Sequence, residues 1–314
     1  MEVSKKEEWL KNRTTGIGGS DSSVILGINP WKSKLELWTE KTTGVTIEKD
    51  NISLRLGKKL EPFIIEEYVE LTKRDVEAGT IALENMRSKE YPYMICNLDG
   101  RITDDTRGKG VLECKIKGAF VRWDEDIPSY YYCQIQHCLA VADYTWASFA
   151  VLNFTTNQLE WKDIERDEEF IKKLIEEESK FWKLVESGTP PEIENTKSCE
   201  NFLRDKYSEG SERKTIDLRN NQDATDWAVI LRCTKEQMEQ LKEKELLCKN
   251  NFMSVMRDAE IGIGKGYSIS WKSPKDKNVF DIERFQKEHP KLYKEYINKE
   301  KQKRRFTVRF NDNE

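Results

Sequence analysis

The sequence predicts an α/β protein in which a β-sheet is covered by helices. Residues 93–98 and 110–117 are apolar stretches with the alternation typical of strands. Apolar residues with helical spacing precede them at 56–72 and follow them at 127–142. Because each such element must bury its apolar side against another, this order of elements indicates an α/β sandwich.

The N-terminal part is predicted to be helical. One short helix covers residues 1–13, and another covers residues 31–44. Between them lies the glycine-rich stretch GIGGSDSSVIL, in which Ser20 or Asp21 is expected to be the N-cap of a further helix. Two interpretations are open: an ordinary capped helix, or an anion site in which helix amides, a serine hydroxyl and Arg13 surround a phosphate.

The sheet is expected to contain more than the two central strands. Alternating segments at 79–83, 144–154 and 158–164 are predicted strands, and an amphipathic helix follows at 167–186. The chain has 314 residues, of which 37% are hydrophobic and 35% are charged. This composition suits a soluble globular protein made of one large domain with an appendage.

The motif GTPP, at residues 188–191, marks the predicted end of the large domain. We therefore predict a core domain over residues 1–191, a polar linker over 192–215 and a C-terminal extension over 216–314.

The extension is predicted to combine helices with a β-ribbon. A charged helix covers residues 234–260, and a second helix covers 282–299. Residues 264–272 alternate like a strand and are expected to pair with 306–310. From Ile261 to the end there are 14 basic and 8 acidic residues, which fit a solvated surface, a contact with DNA phosphates or a docking face for a partner.

Composition and charge argue against several classes of protein. The net charge of −4 argues against a protein that coats DNA. No apolar run approaches the roughly 20 residues that span a bilayer, so no membrane partner is expected. The N-terminus lacks the apolar segment of a signal peptide, which predicts a cytoplasmic protein. The 7 cysteines include no CxxC pair and are expected to be reduced thiols without an iron–sulfur cluster.

Three polar residues on the central strands predict a hydrolytic metal site. Asp99 follows the strand at 93–98, and Glu113 and Lys115 lie two residues apart, on one face of the next strand, while Cys114 points to the other. Two carboxylates can hold a Mg²⁺ ion that keeps positions open for water and phosphate oxygens. The Cys114 backbone carbonyl is the expected third ligand, and Lys115 the group that orients the attacking water. A simple turn and a surface lysine are the alternative interpretation.

Glu61 and Gln134 are candidates for further groups around this site. Glu61 lies beside the apolar stripe of the helix at 56–72, so it is either a solvated first-turn carboxylate or an accessory acid. Gln134 is either a surface amide or a hydrogen-bonding partner of phosphate or water. His137 is expected to be structural or solvated and not a metal ligand.

Several motifs occur together in a fixed order. They are GIGGSDSSVILGINPWKSKLELW, GKKLEPFIIEEY, NLDG, LECK, YYYCQIQHCLAV, ESGTPP, GYSISWK, FQKEHPKLYKEY and RRF. The set resembles the YqaJ-type viral and phage recombination nucleases, relatives of lambda-type exonuclease within the PD-(D/E)XK superfamily. The resemblance covers nearly the whole chain and implies a restriction-endonuclease-like core, with a mixed sheet flanked by helices.

The resemblance also implies an activity. Nucleases of this type bind Mg²⁺, or Mn²⁺ in its place, and degrade one strand of double-stranded DNA from its 5′ end. They leave a 3′ overhang that a single-strand annealing protein receives for homologous recombination. Asp99 and Glu113 match the metal ligands of this family, and Lys115 matches its catalytic lysine. Glu61 matches the accessory helix acid and Gln134 the motif glutamine.

The resemblance favours the anion-site interpretation of the glycine-rich stretch, because Arg13 and Ser20 match the pair that holds the terminal 5′-phosphate. The chain departs from the compact lambda-type enzymes in its long extension after Pro191. Those enzymes resemble rings of three subunits, so the extension leaves the formation of a homo-oligomer open.

Two alternative functions are open at this point. A PD-(D/E)XK endonuclease, including a restriction-like one, would cut DNA internally and would not need an end. A non-catalytic scaffold would bind DNA ends with the same fold, although the intact set of Asp99, Glu113 and Lys115 argues against it.

Overall fold

The computed structural model describes residues 13–45, 52–80, 83–119, 121, 127–209, 214–275, 278–298 and 304–310. The chain divides into two units, Met1–Lys206 and Tyr207–Glu314. The helix predicted over residues 1–13 lies almost wholly outside the described residues.

The first unit contains a five-stranded mixed sheet. Its order is β1-β4-β5-β6-β7, with β5 and β6 parallel and the other neighbours antiparallel. Strands β2 and β3 form a separate antiparallel pair. The strands are β1 Asp75–Glu77, β2 Met86–Arg87, β3 Ile95–Cys96, β4 Gly100–Asp104, β5 Gly108–Lys117, β6 Trp146–Asn153 and β7 Gln158–Glu165.

Helices cover both faces of this sheet. They are α1 Gly19–Ile25, α2 Lys34–Thr43, α3 Ile52–Thr72, α4 Ser129–Ala142, α5 Glu168–Ser187 and α6 Lys197–Lys206. Leu112 and Cys114 of β5 pack in one buried cluster with Tyr68 of α3. Val111, from the opposite face of β5, packs in another cluster with Ile135 of α4. Because the side chains of β5 point alternately to the two faces of the sheet, α3 packs on one face and α4 on the other. The predicted mixed sheet flanked by helices is confirmed.

Three predictions about the strands are wrong. Residues 93–98, predicted as a central strand, contain only β3, which pairs with β2 outside the five-stranded sheet. Residues 79, 80 and 83 are not in a strand, because Gly79 has a φ of +66° and the Leu83 amide donates to the Thr80 carbonyl across a turn. Conversely, the alternative interpretation of Asp99 as part of a simple turn is wrong, because the residues after it form strand β4, which pairs with β5 from Gly100 to Asp104. The hairpin turn comes later, where Asp104 Oδ1 accepts from two backbone amides of the turn.

The helix in the glycine-rich stretch begins two or three positions earlier than predicted. Gly18, and neither Ser20 nor Asp21, is the N-cap of α1. Asp21 lies at the third helical position, where its Oδ2 accepts from the Gly18 amide at 3.0 Å. The end of α2 matches the prediction, because Gly44 adopts the left-handed conformation with a φ of +69°.

The segment predicted as a linker contains α6. Cys199 and Phe202 of this helix are buried in one cluster with Leu35 of α2. The sequence prediction missed the helix because its apolar residues are few and lie among charged ones.

The second unit contains one long helix, a β-ribbon and two short helices. They are α7 Gln222–Met256, β8 Ile261–Gly264, β9 Tyr267–Ser270, α8 Ile282–Glu288 and α9 Pro290–Tyr296. The ribbon is present, but its predicted pairing is wrong. β9 pairs with β8 through a tight turn in which Gly266 has a φ of +85°, while residues 306–310 are not in a strand. The helix predicted at 282–299 is interrupted before Pro290, which has no amide hydrogen to donate.

Most of the cysteines lie in the interior of the protein. Five cysteines are buried and two, both in α7, are exposed. Within the described part of the chain, no helix combines the length and apolar character needed to cross a membrane.

A buried ion pair joins α4 to α5. His137 Nδ1 lies 2.8 Å from Glu178 Oε1, and His137 Nε2 lies 2.9 Å from the backbone oxygen of Ile95 in β3. Both side chains are fully buried. Burial opposes the charged imidazolium, but the Glu178 carboxylate outweighs it and raises the pKa of His137 to about 9. A doubly protonated ring therefore donates to both oxygens, and His137 is structural, as predicted.

Gly110 is needed because the Trp146 ring packs directly on β5. A Cβ atom at residue 110 would lie 2.5 Å from the ring. We expect Gly110→Ala to lower the free energy of unfolding by about 1–3 kcal/mol, through overpacking. Gly57→Ala is the matched control, because nothing lies within 4 Å of its Cβ and alanine favours the α3 helix by about 0.5–1 kcal/mol. Urea unfolding of both variants measures the difference, and equal effects would contradict the packing argument.

The buried His137–Glu178 pair predicts a pH-dependent stability. The folded-state pKa of His137, about 9, exceeds its ordinary value of 6.5. Its stabilising contribution is therefore complete below pH 6.5 and is lost as the pH rises through 9. We expect His137→Ala to cost about 3–5 kcal/mol at pH 6, since it leaves Glu178 buried without its cation.

The loss in free energy of unfolding caused by His137→Ala should be smaller when urea unfolding is measured above pH 9. Combining His137→Leu with Glu178→Leu is the control and should recover most of the stability, because no unpaired charge is left. A deficit that is the same at pH 6 and pH 9.5 would show that the imidazolium is not the stabilising form.

Candidate active site

The two central acids are brought together by the pairing of β4 with β5. Asp99 immediately precedes β4, and its Oδ2 accepts from the Cys114 amide at 2.8 Å. The side chains of Glu113 and Lys115 lie on the face of β5 that α4 covers, whereas Cys114 lies on the other face. The predicted facing of these side chains is therefore confirmed.

Glu113 is the most deeply buried acid of the site, with 1% of its surface exposed. Its Oε1 accepts from the Lys115 ammonium and from Gln134 Nε2, the latter at 2.5 Å. Its Oε2 is buried and has no hydrogen-bond partner among the described residues. Burial raises the pKa of Glu113 to about 7 against the effect of Lys115, and the negative charge of Asp99 adds to the rise.

Lys115 is held in its charged form. Burial opposes the ammonium, but the Glu113 and Asp99 carboxylates outweigh it and raise the pKa of Lys115 above its usual range. Lys115 Nζ also lies 5.4 Å from the centroid of the Tyr131 ring in α4. A lysine in this state donates hydrogen bonds and stabilises negative charge, and it does not accept a proton.

Glu61 belongs to the electrostatic environment of the site. It lies in the interior of α3, which begins at Ile52, so the interpretation as a first-turn carboxylate is wrong. Burial raises the pKa of Glu61 to about 7, with a further rise from the charge of Asp99, while Lys115 opposes both. Glu61, predicted as the accessory acid, is therefore close enough to Asp99 for the two charges to interact.

The donor atoms fit a hard divalent cation. Asp99 and Glu113 present carboxylate oxygens, and the orphaned Glu113 Oε2 is a buried acceptor of the kind that a cation satisfies. Across the described residues, no cluster of three or more His, Cys, Asp or Glu side chains could hold a metal by itself. A cation here would thus need water and backbone oxygen as well, which suits Mg²⁺ or Mn²⁺. The carbonyl of Cys114 stays a predicted ligand.

A cleft beside the acids contains the predicted phosphate-binding pair. Arg13 Nη2 donates to Ser20 Oγ at 3.4 Å, and Ser20 is exposed. Both residues line one cleft with Asn97 and Gln134. Gln134 therefore contacts Glu113 with its amide while it lines the cleft, and it joins the two parts of the site.

A second buried ion pair, missed in the sequence, supports this cleft. Lys41 Nζ donates to Asp21 Oδ2 at 2.7 Å and to the Arg13 carbonyl at 2.6 Å. Burial would raise the pKa of Asp21, but the Lys41 charge outweighs it and holds the pKa well below its usual range. Lys41 gave no signal of this role because it is one of several charged residues of α2, and Asp21 lies 20 residues away.

Close packing of α1 on α4 depends on Gly19. A Cβ atom at this position would lie 2.9 Å from Cys138 Sγ and 3.2 Å from Gln134 Cγ. Glycine therefore lets the Ser20 end of α1 approach the helix that carries Gln134.

Comparison with known proteins gives one consistent result. A family model described as YqaJ-like viral recombinase domain matches residues 8–145. YqaJ of Bacillus subtilis (strain 168) is 34% identical over 313 residues, which cover 97% of this chain and 94% of YqaJ.

Some solved structures are similar at lower identity. The alkaline exonuclease LHK-Exo from Laribacter hongkongensis is 20% identical with a TM-score of 0.47, and the match covers 64% of this chain and 97% of LHK-Exo. A phage related exonuclease from Haemophilus somnus 129PT is 15% identical with a TM-score of 0.43, over 55% of this chain and 94% of that protein.

Proposed function

Since this chain belongs to the YqaJ-like viral recombinase family, we propose that it is a metal-dependent deoxyribonuclease that degrades double-stranded DNA from the 5′ end. The observation that carries the proposal is the buried Glu113 carboxylate. One of its oxygens is bound by Lys115 and Gln134, and the other is buried with no hydrogen-bond partner among the described residues. The negative charge of Asp99 acts on the same carboxylate. The combination of oxygen ligands for a cation with a fixed positive charge suits metal-assisted hydrolysis of a phosphodiester.

Asp99 and Glu113 would hold Mg²⁺ or Mn²⁺, with the Cys114 carbonyl as a further ligand. When bound, the cation supplies Lewis acidity and lowers the pKa of a coordinated water. Lys115, kept charged by the carboxylates around it, orients the attacking water and stabilises the negative charge that builds up on the phosphate. Gln134 fixes the Glu113 carboxylate from the side of α4, and Glu61 orients water on the side of α3.

Arg13 and Ser20 give the proposed activity its direction. A guanidinium and a hydroxyl are suitable donors for the oxygens of a terminal phosphate. Their cleft is shared with Gln134, so a 5′-phosphate held there would leave the following phosphodiester close to Glu113. The product would be a 3′ overhang, which a single-strand annealing protein would receive.

The proposed function predicts a dependence on DNA ends and on a divalent metal. We expect linear duplex DNA to be degraded in Mg²⁺, closed circular DNA to persist, and EDTA to abolish the reaction. Lys115→Ala and Glu113→Ala should each lower the rate about 100-fold or more, because each removes preorganised charge at the reacting phosphate. Release of labelled nucleotides over time measures the rate.

Glu176→Ala is the control for these variants, because Glu176 is an exposed acid of α5 paired with Lys180. Its rate should equal that of the unmodified protein. Internal cutting of closed circles would favour an endonuclease, and full activity in Glu113→Ala would show that the site is misassigned.

The proposed function also predicts a dependence on the 5′-phosphate of the DNA. Removing it from the DNA, or replacing Arg13 with alanine, should each slow digestion by about 10-fold or more, because a charge-assisted hydrogen bond contributes about 1.5–3 kcal/mol. The two changes together should cost little more than either alone, since both remove one interaction. Ser20→Ala should have a smaller effect in the same direction.

Arg204→Ala in α6 is the matched arginine control, since Arg204 pairs with Glu200 away from the cleft. It should leave the preference for 5′-phosphorylated ends unchanged. If phosphorylated and unphosphorylated ends are digested at the same rate by the unmodified protein, the role of Arg13 is refuted.

A further inference from the structure

A series of aromatic rings leads from the protein surface to Lys115. The centroid of Trp31 lies 5.0 Å from that of Tyr130, with the rings at 79°. Tyr130 lies 4.5 Å from Tyr131, at 66°, and the Tyr131 centroid is 5.4 Å from Lys115 Nζ. The path therefore connects an exposed ring with the charged group of the active site through three direct contacts.

Trp31 is unusually exposed for so large an apolar side chain, with 59% of its surface accessible. Its backbone is nevertheless fixed. Asn29 Oδ1 accepts from the amides of Trp31 and Lys32 at 2.9 and 3.0 Å, and Asn29 Nδ2 donates to Ser23 Oγ at 2.9 Å. An exposed aromatic residue on a preorganised loop is typical of a binding surface, because little entropy is lost when a ligand stacks on it.

Helix α1 fixes the position of this loop relative to the phosphate cleft. Ser20 lies at the N-terminal end of α1, and Ser23, which anchors Asn29, lies in the same helix. A helix of 7 residues is about 10 Å long. The loop that carries Trp31 is thus anchored to the same short helix whose first turn contains Ser20.

We propose that Trp31 and Tyr130 form a stacking platform for an unpaired base of the DNA end bound at the active site. The inference rests on the proposed nuclease function and extends it to a base-binding subsite. Aromatic rings bind nucleobases of any sequence by stacking, and the edge-to-face packing of the two rings leaves ring surface open to a flat ligand.

The position of the platform favours a nucleobase over an apolar protein segment. The aromatic path ends at Lys115, which contacts the Glu113 carboxylate. If a phosphate of the DNA strand lies at Lys115 and Glu113, the bases on either side of that phosphate lie close to the aromatic rings. Separation of the two strands near the cut exposes bases that have lost their stacking partners, and the platform replaces those partners.

The test measures base stacking without hydrolysis. Duplexes carry 2-aminopurine at each of the first four positions of either strand, and they are bound by full-length protein with Glu113→Gln to prevent cleavage. We expect a change in fluorescence at one or two of these positions. Adding Trp31→Leu should abolish it and weaken DNA binding by about 5- to 100-fold, whereas Trp31→Phe should retain much of both.

Trp161→Leu is the matched control, since Trp161 is a half-exposed tryptophan of β7 that packs edge-to-face against Tyr68, on the face of the sheet opposite to α4. It should change neither the fluorescence nor the affinity. Equal results for Trp31→Leu and Trp161→Leu would overturn the platform, and so would an absence of any position-dependent fluorescence change. Digestion of linear DNA by the unmodified protein is measured in parallel. Activity there with no effect of Trp31→Leu refutes only the platform, and no digestion of any DNA refutes the nuclease itself.

Discussion

The geometry of the site depends on the burial of one carboxylate. A buried carboxylate is costly unless its oxygens are bound. Glu113 meets this requirement with one oxygen, which accepts from Lys115 two residues along the same strand and from Gln134 of α4. The second contact fixes how α4 lies over β5, because a shift of α4 by one residue would remove Gln134 from Glu113. The other oxygen has no hydrogen-bond partner within the described part of the chain, so the fold keeps a buried acceptor on which the charge of Asp99 also acts.

The phosphate cleft and the acids belong to one hydrogen-bonded unit of backbone. Ile17 donates to the Tyr93 carbonyl at 2.6 Å and accepts from the Ile95 amide at 2.9 Å. The carbonyl of Ile95 in turn accepts from the buried His137. The glycine-rich stretch is therefore joined to the residues around β3 by a parallel bridge between Ile17 and Met94. This bridge ties the start of α1 to the segment that precedes Asp99.

Local periodicity was enough to predict part of this arrangement. Glu113 and Lys115 were placed on one face because side chains alternate along a strand, and Gly44 ends its helix because it tolerates a left-handed backbone. The partners of buried charges were not predictable in this way. Lys41 and His137 bind acids that lie 20 and 41 residues away in the sequence. Such pairs depend on how helices pack together. The sequence around a single charged residue in an amphipathic helix does not indicate which distant residue it binds.

Burial and an orphaned oxygen alone do not identify a site of chemistry. Glu178 is also fully buried with one oxygen lacking a hydrogen-bond partner among the described residues. Its other oxygen binds His137, however, and that pair neutralises the charge between two helices of the interior. Glu113 differs because a second acid, Asp99, adds negative charge that Lys115 alone does not balance, and because Gln134 connects it to an open cleft. An excess of negative charge next to an open cleft suits a cation, whereas the His137–Glu178 pair already neutralises its own charge.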